Sequence, residues 1–136
     1  MEIQRKVEKS LVTYLEGAVP GMRFFASDED AELEPPYGVV AVDDDQSTLP
    51  ADEASLLVVD VIWVTHNDDT GIEAHAQTVK AIRTALRDFP RGFQPGTKCM
   101  IHGLEVMSSV RVSDAKARGH AVTLHVGASD WEELEE

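Results

Sequence analysis

Two stretches of the chain repeat their apolar residues at the three- and four-residue spacing of an amphipathic α-helix. In residues 2–16 the apolar stripe consists of Ile3, Val7, Leu11, Tyr14 and Leu15. Gly17 and Pro20 follow this stripe and predict that the first helix ends at Gly17. In the second stretch the stripe consists of Ile72, Ala76, Val79, Ile82, Leu86 and Phe89, and it follows a capping box formed by Thr70 and Glu73. We therefore predict helices over residues 2–16 and 72–89.

Five further segments have the alternating or continuous apolar pattern of β-strands. They cover residues 22–26, 37–42, 56–65, 104–112 and 120–126. Charged and turn-forming residues separate the last two, which predicts a hairpin, and residues 107–109 predict a bulge in its first strand. The element order is α-β-β-β-α-β-β. It predicts one α+β domain over residues 1–136, with two helices on one face of a four- to five-stranded, mostly antiparallel sheet.

The strand over residues 56–65 is apolar on both of its faces. Leu56, Val58, Ile62 and Val64 alternate with Leu57, Val59, Val61 and Trp63, and only Asp60 interrupts the run. An antiparallel strand with one wet face should alternate apolar and polar residues, and two helices can cover only one face. Either other segments of the same chain or a partner subunit must cover the second face. We take Leu57, Val59, Val61 and Trp63 as the candidate subunit or partner interface, with Trp63 as its anchor.

Negative charge is concentrated in loops and at the end of the sequence. The formal net charge is −13, residues 27–53 contain ten acids and no base, and residues 130–136 contain five acids. These segments form two acidic loops, 27–36 and 43–55, and an acidic tail, 130–136. Because phosphate binding depends on Lys and Arg, this balance argues against specific nucleic-acid binding. No apolar run approaches the roughly 20 residues that span a bilayer, so we expect no membrane partner.

The residue types that carry most protein chemistry are not arranged in a known motif. Cys99 is the single cysteine, which excludes an intramolecular disulfide and a thiolate metal cluster, and we expect it at a buried strand position. The histidines His66, His75, His102, His120 and His125 lack the spacing of a zinc site and are expected to be solvated or at the edge of the core. The acids that begin at Asp28 lack the Gly and Glu of a calcium loop. We expect no catalytic residue, no cofactor and no metal, and therefore not an enzyme.

The order of helices, strands and loops along the chain can be compared with that of known protein families. A helix at residues 2–16 precedes Pro-Pro-Tyr-Gly-Val-Val-Ala-Val at 35–42, a polar loop, and a long apolar strand ending near His66. A helix at 72–89 and a hairpin ending in Ala-Val-Thr-Leu-His-Val at 121–126 follow. Over nearly its whole length the chain resembles the tail terminator, or tail completion, proteins of long-tailed bacteriophages, in element order, length and pattern.

The resemblance implies a structural role in the virion. Such proteins form a ring, usually a hexamer, that caps the tail tube, stops its polymerisation and presents a surface to the head–tail connector or stopper. It implies assembly in the host cytoplasm, a final location at the tail–neck junction, and DNA that passes through without specific binding. A closed ring uses heterologous contacts between different patches of neighbouring subunits. The candidate channel-lining or partner-facing acidic residues are Asp43, Asp44, Asp45, Asp52 and Glu53, which would repel DNA.

Other functions remain open at this point. The same phage module encodes other neck proteins, the head–tail connectors and stoppers, that are similar in size. An acidic inhibitor that mimics DNA would also be rich in carboxylates, although here the acids cluster in loops where phosphate-like spacing is difficult to hold. A small enzyme or a metal-binding protein is a further alternative.

Overall fold

A computed structural model describes residues 3–19, 21–26, 36–42, 47–48, 55–66, 71–113 and 117–130. It contains two helices, α1 (Ile3–Ala18) and α2 (Gly71–Arg87). The strands are β1 (Arg23–Ala26), β2 (Tyr37–Val42), β3 (Ser47–Thr48), β4 (Ser55–His66), β5 (Gly92–Gln94), β6 (Cys99–Ser113) and β7 (Ala117–Asp130). The α+β class and the two helices agree with the prediction. The observed order adds β3 and β5, which are too short to produce a periodic pattern in the sequence.

The strands form one mixed sheet in the order β1-β2-β4-β7-β6-β5, with β3 paired to β4. Strand β1 runs parallel to β2, and every other described pair is antiparallel. The predicted hairpin is confirmed in β6 and β7, which are longer than predicted and pair from Cys99 opposite Asp130 to Ser113 opposite Arg118. The predicted bulge is also confirmed, because the register of this pair shifts between Val106 and Ser108.

Both helices pack on the same face of the sheet, which we call the inner face. Strand β4 contributes Leu57, Val59, Val61, Trp63 and Thr65 to this face, and β7 contributes Val122, Leu124 and Val126. The helices cover it with Val7, Leu11 and Leu15 of α1 and with Ile82 and Leu86 of α2, all fully buried. The opposite side, the outer face, carries Leu56, Val58, Asp60, Ile62 and Val64 of β4. No described helix lies over that side.

Polar side chains attach α1 to the strands. Lys6 lies outside the apolar stripe of α1 but is only 2% exposed, and its Nζ donates to the carbonyl of Lys98 at 3.2 Å. The backbone N–H of Val42 donates to Glu8 Oε2 at 3.3 Å. The predicted end of α1 at Gly17 is wrong, because the helix continues to Ala18 and the left-handed backbone lies at Gly21, with φ of 91°. Neither described helix is long and apolar enough to cross a membrane.

Candidate subunit interface

The four residues predicted to contact a partner lie inside the protein. Leu57, Val59, Val61 and Trp63 are each 0% exposed and belong to the core that both helices cover. The prediction that they form a subunit interface is therefore wrong. Side chains alternate along a strand, so the helices bury every second residue of β4. These four residues are among those that lie on the inner face.

The apolar surface that the helices leave uncovered lies on the outer face. The strand register places Val39, Ile62, Ala121 and Val110 in one row across β2, β4, β7 and β6, and Phe25 of β1, which is 8% exposed, forms its buried end. We call these five residues the outer row. Ile62 is 40% exposed and Val110 is 55% exposed. Single exposed apolar residues are ordinary, whereas contiguous ones are typical of interaction sites. The outer row is therefore the candidate subunit interface.

Asp60 is the residue of β4 whose type indicates, from the sequence, which face of the strand is the outer one. Its carboxylate lies on that side of the sheet, where Thr123 Oγ1 donates to Asp60 Oδ1 at 2.8 Å. Since strand side chains alternate, the single acid of β4 shares its face with Ile62 and not with Trp63. The position of Asp60 in the apolar run is thus the sequence signal that distinguishes the outer face from the inner one.

The edge of β6 offers a second apolar surface. Strand β5 pairs only with Cys99, Met100 and Ile101, and no other described strand continues along that edge. Farther along β6, Met107 is 49% exposed and Val110 is 55% exposed. Met107 occupies the bulge between Val106 and Ser108. Bulges bend edge strands and limit indiscriminate strand pairing along this edge.

The predicted acidic loop cannot be placed on either surface. Asp43, Asp44, Asp45, Asp52 and Glu53 all lie outside the described residues. Their role in lining a channel or facing a partner stays a prediction.

A polar cluster lies on the inner face, where α2 meets β4, β7 and β6. His75 Nδ1 and Thr65 Oγ1 are 2.7 Å apart, and His120 Nε2 hydrogen bonds with the hydroxyl of Ser109. The His120 ring lies against Trp63 with centroids 5.0 Å apart, and the two imidazoles are 6.4 Å apart. Serine–histidine pairs can form part of a nucleophilic site, but such a site also needs a group that orients the imidazole. The charged neighbours that shift the pKa of His120 are His75, Arg83 and Arg111, and a carboxylate is not among them.

Burial lowers the pKa of His120, and the neighbouring His75, Arg83 and Arg111 lower it further. The folded protein therefore favours the neutral imidazole. The neutral His120 imidazole contributes to the free energy of unfolding fully above the ordinary histidine pKa of about 6.5. This contribution is lost as the pH falls from that value through the lowered pKa of the folded protein.

We expect the wild type to lose more stability on acidification than the variant His120→Gln. Glutamine keeps a polar group near Ser109 but cannot take up a proton. The measurement is the free energy of unfolding from urea titrations at several pH values between 8 and 5. Identical pH dependence in the two proteins would contradict the assignment.

The remaining candidate chemistry is structural in the part of the chain that can be described. Cys99 is fully buried in β6, as predicted, with Sγ 3.4 Å from Thr97 Oγ1 and 3.9 Å from Ser10 Oγ. Within the described ranges, no group of three or more His, Cys, Asp or Glu side chains could hold a metal ion.

Comparisons with known proteins do not add a functional assignment. No protein-family model matches the chain, and no curated protein matches its sequence.

Proposed function

We propose that this chain is a structural subunit that assembles with copies of itself into a ring of the phage tail-terminator kind. The observation that supports the proposal is the exposure of Ile62 and Val110 in the outer row, on a sheet whose described helices occupy only the inner face. The proposed ring, a hexamer by resemblance, caps the tail tube, ends its polymerisation and joins it to the head–tail connector or stopper. DNA passes through the ring without specific binding.

The outer row and the edge of β6 suit the contacts of a closed ring. With strands about 4.8 Å apart, a row across five strands extends roughly 19 Å. Heterologous assembly requires two different patches on each subunit. The outer row meets the open edge at Val110, so both surfaces can take part in continuous contacts.

We expect the double variant Ile62→Asp/Val110→Asp to abolish self-association while it leaves the fold intact. Two carboxylates in the centre of the row would be desolvated without partners, which is unfavourable in an interface. Sedimentation velocity over a range of concentrations would show the wild type as a ring-sized species and the variant as a monomer. The control Thr13→Asp/Gln77→Asp adds the same charge on exposed helical positions and should still assemble. A variant that assembles like the wild type would contradict the proposed interface.

The function itself is tested with polymerising tail tubes. We expect the protein to bind tube ends and to narrow the tube-length distribution measured by electron microscopy, and Ile62→Asp/Val110→Asp to lose this effect. Unchanged tube lengths with the wild type would overturn the terminator assignment. Competition with DNA for a nuclease would instead identify a DNA mimic.

A further inference from the structure

A groove of about 710 Å³ lies between α2 and β6. Its floor is apolar, with Val79, Leu104 and Val106 among the lining residues, and its walls carry Lys80, Arg83, Arg87 and Arg91 opposite a single acid, Glu105. The four cations belong to a chain that has only 12 Lys and Arg against 25 Asp and Glu. The groove is therefore a concentrated positive surface on a strongly acidic protein.

The cations of this groove are available to a ligand. Lys80, Arg83 and Arg91 make no ion pair with the rest of the described chain, and Arg87 contacts only its exposed neighbour Asp88, with Nε and Oδ1 3.4 Å apart. All four cationic side chains are exposed. Val106 is 37% exposed, so part of the apolar floor is open as well.

The combination of apolar floor and cationic walls fits an acidic peptide that also carries apolar side chains. A nucleic-acid backbone would use the cations but would leave the apolar floor without a partner. The sequence contains such a peptide in residues 131–136, Trp-Glu-Glu-Leu-Glu-Glu. Trp131 and Leu134 are three residues apart, so one helical turn would place them on the same side. The four glutamates match the four cations in number.

We propose that the groove between α2 and β6 binds residues 131–136 of a second copy of this chain. The inference rests on the self-assembly proposed above and supplies one of its heterologous contacts. Leu104 pairs with Val126, whereas β7 ends at Asp130 opposite Cys99. The four residues of β7 after Val126, up to Asp130, therefore extend about 13 Å beyond the level of Leu104. Strand β7 runs away from the groove as it reaches Asp130, which favours a neighbouring subunit as the receptor.

The groove is tested with a fluorescein-labelled peptide of residues 129–136 and fluorescence anisotropy on the full chain. We expect binding that weakens about 2- to 30-fold in Lys80→Glu/Arg91→Glu, because each of the two charge contacts contributes roughly 0.2–1 kcal/mol and 1.4 kcal/mol corresponds to a factor of about ten. The control Lys9→Glu/Lys98→Glu makes the same charge change on exposed residues that do not line the groove, and it should bind normally. A peptide with Trp131→Ala/Leu134→Ala should also bind more weakly. Undiminished binding to the groove variant, or tighter binding of a 12-base-pair DNA duplex, would overturn the proposal.

A charge exchange distinguishes a neighbour's tail from the chain's own. The groove variant Lys80→Glu/Arg91→Glu and the tail variant Glu132→Lys/Glu133→Lys should each assemble poorly in sedimentation experiments. An equimolar mixture should assemble again, because each groove then meets an oppositely charged tail on the other protein. Recovery only when all four substitutions are in one chain would show an intramolecular contact and overturn the proposal.

Failure of the groove and failure of the ring give different results. If the wild type, the groove variant and the tail variant all assemble equally well, the groove contact is overturned and self-assembly is not. A wild type that stays monomeric while the peptide binds the groove would overturn the ring and leave the groove as a site for acidic peptides.

Discussion

Replacing Trp63 with alanine is expected to lower the free energy of unfolding by about 3–5 kcal/mol. The side chain is 0% exposed at the centre of the inner face, where its ring lies against His120. Its removal leaves a large cavity among side chains that both helices and the sheet hold in place. Urea titration with an unchanged m value would assign the loss to the folded state.

The neighbouring residue provides the matched control for this prediction. Ile62 is on the same strand but on the outer face, and it is 40% exposed. We expect Ile62→Ala to change the free energy of unfolding of the monomer by about 1 kcal/mol or less. An equal loss in both variants would contradict the assignment of inner and outer faces. Large losses at residue 63 and small ones at residue 62 would separate folding from assembly along one strand.

Gly38→Ala is expected to destabilise the protein by about 1–3 kcal/mol through overpacking. A Cβ atom at Gly38 would lie 2.5 Å from Phe24 Cε1 and 2.6 Å from Phe24 Cδ1. The two residues are opposite each other in the parallel pair of β1 and β2, and the Phe24 side chain is 1% exposed. The ring thus occupies the space that a side chain at residue 38 would need, and a buried ring cannot move away freely.

A double-mutant cycle tests this cause directly. Phe24→Leu removes the clashing ring atoms, so adding Gly38→Ala to that variant should cost less than adding it to the wild type. The control is Gly17→Ala, since a Cβ at Gly17 in α1 has nothing within 4 Å and alanine is the better helix former. That variant should be stabilised by about 0.5–1 kcal/mol. Additive effects of Phe24→Leu and Gly38→Ala would contradict the clash.

The proposed assembly surfaces lie apart from the residues that hold the core together. The core is covered by both helices, whereas the outer row, the β6 edge and the basic groove are distributed around the sheet. Substitutions in these three surfaces can therefore be made without removing core contacts, which makes the proposed ring accessible to mutagenesis.

Elements whose own residues carry a strong period are predictable from the sequence alone. The stripes of α1 and α2, the apolar run of β4 and the alternation in the final hairpin predicted those elements, and β2 (Tyr37–Val42) was predicted with its observed bounds. Even the bulge near Met107 was visible, because Ser108 and Ser109 interrupt the alternation. Local periodicity is sufficient here, since it reflects which side of an element meets the core.

Tertiary contacts determine which face of β4 the helices cover and how the early strands pair. Both faces of β4 are apolar, so hydrophobic pattern alone cannot choose between Trp63 and Ile62, and Asp60 is the one local mark of the outer side. The parallel pairing of β1 with β2 depends on contacts with a separate segment of the chain, whereas β3 and β5 pair with the strand that follows each of them and are too short to carry a period. The basic groove likewise exists only because α2 packs beside β6. Contacts between separate segments of the chain fix the buried face of β4, the β1–β2 pair and the groove, and no period within a single segment encodes them.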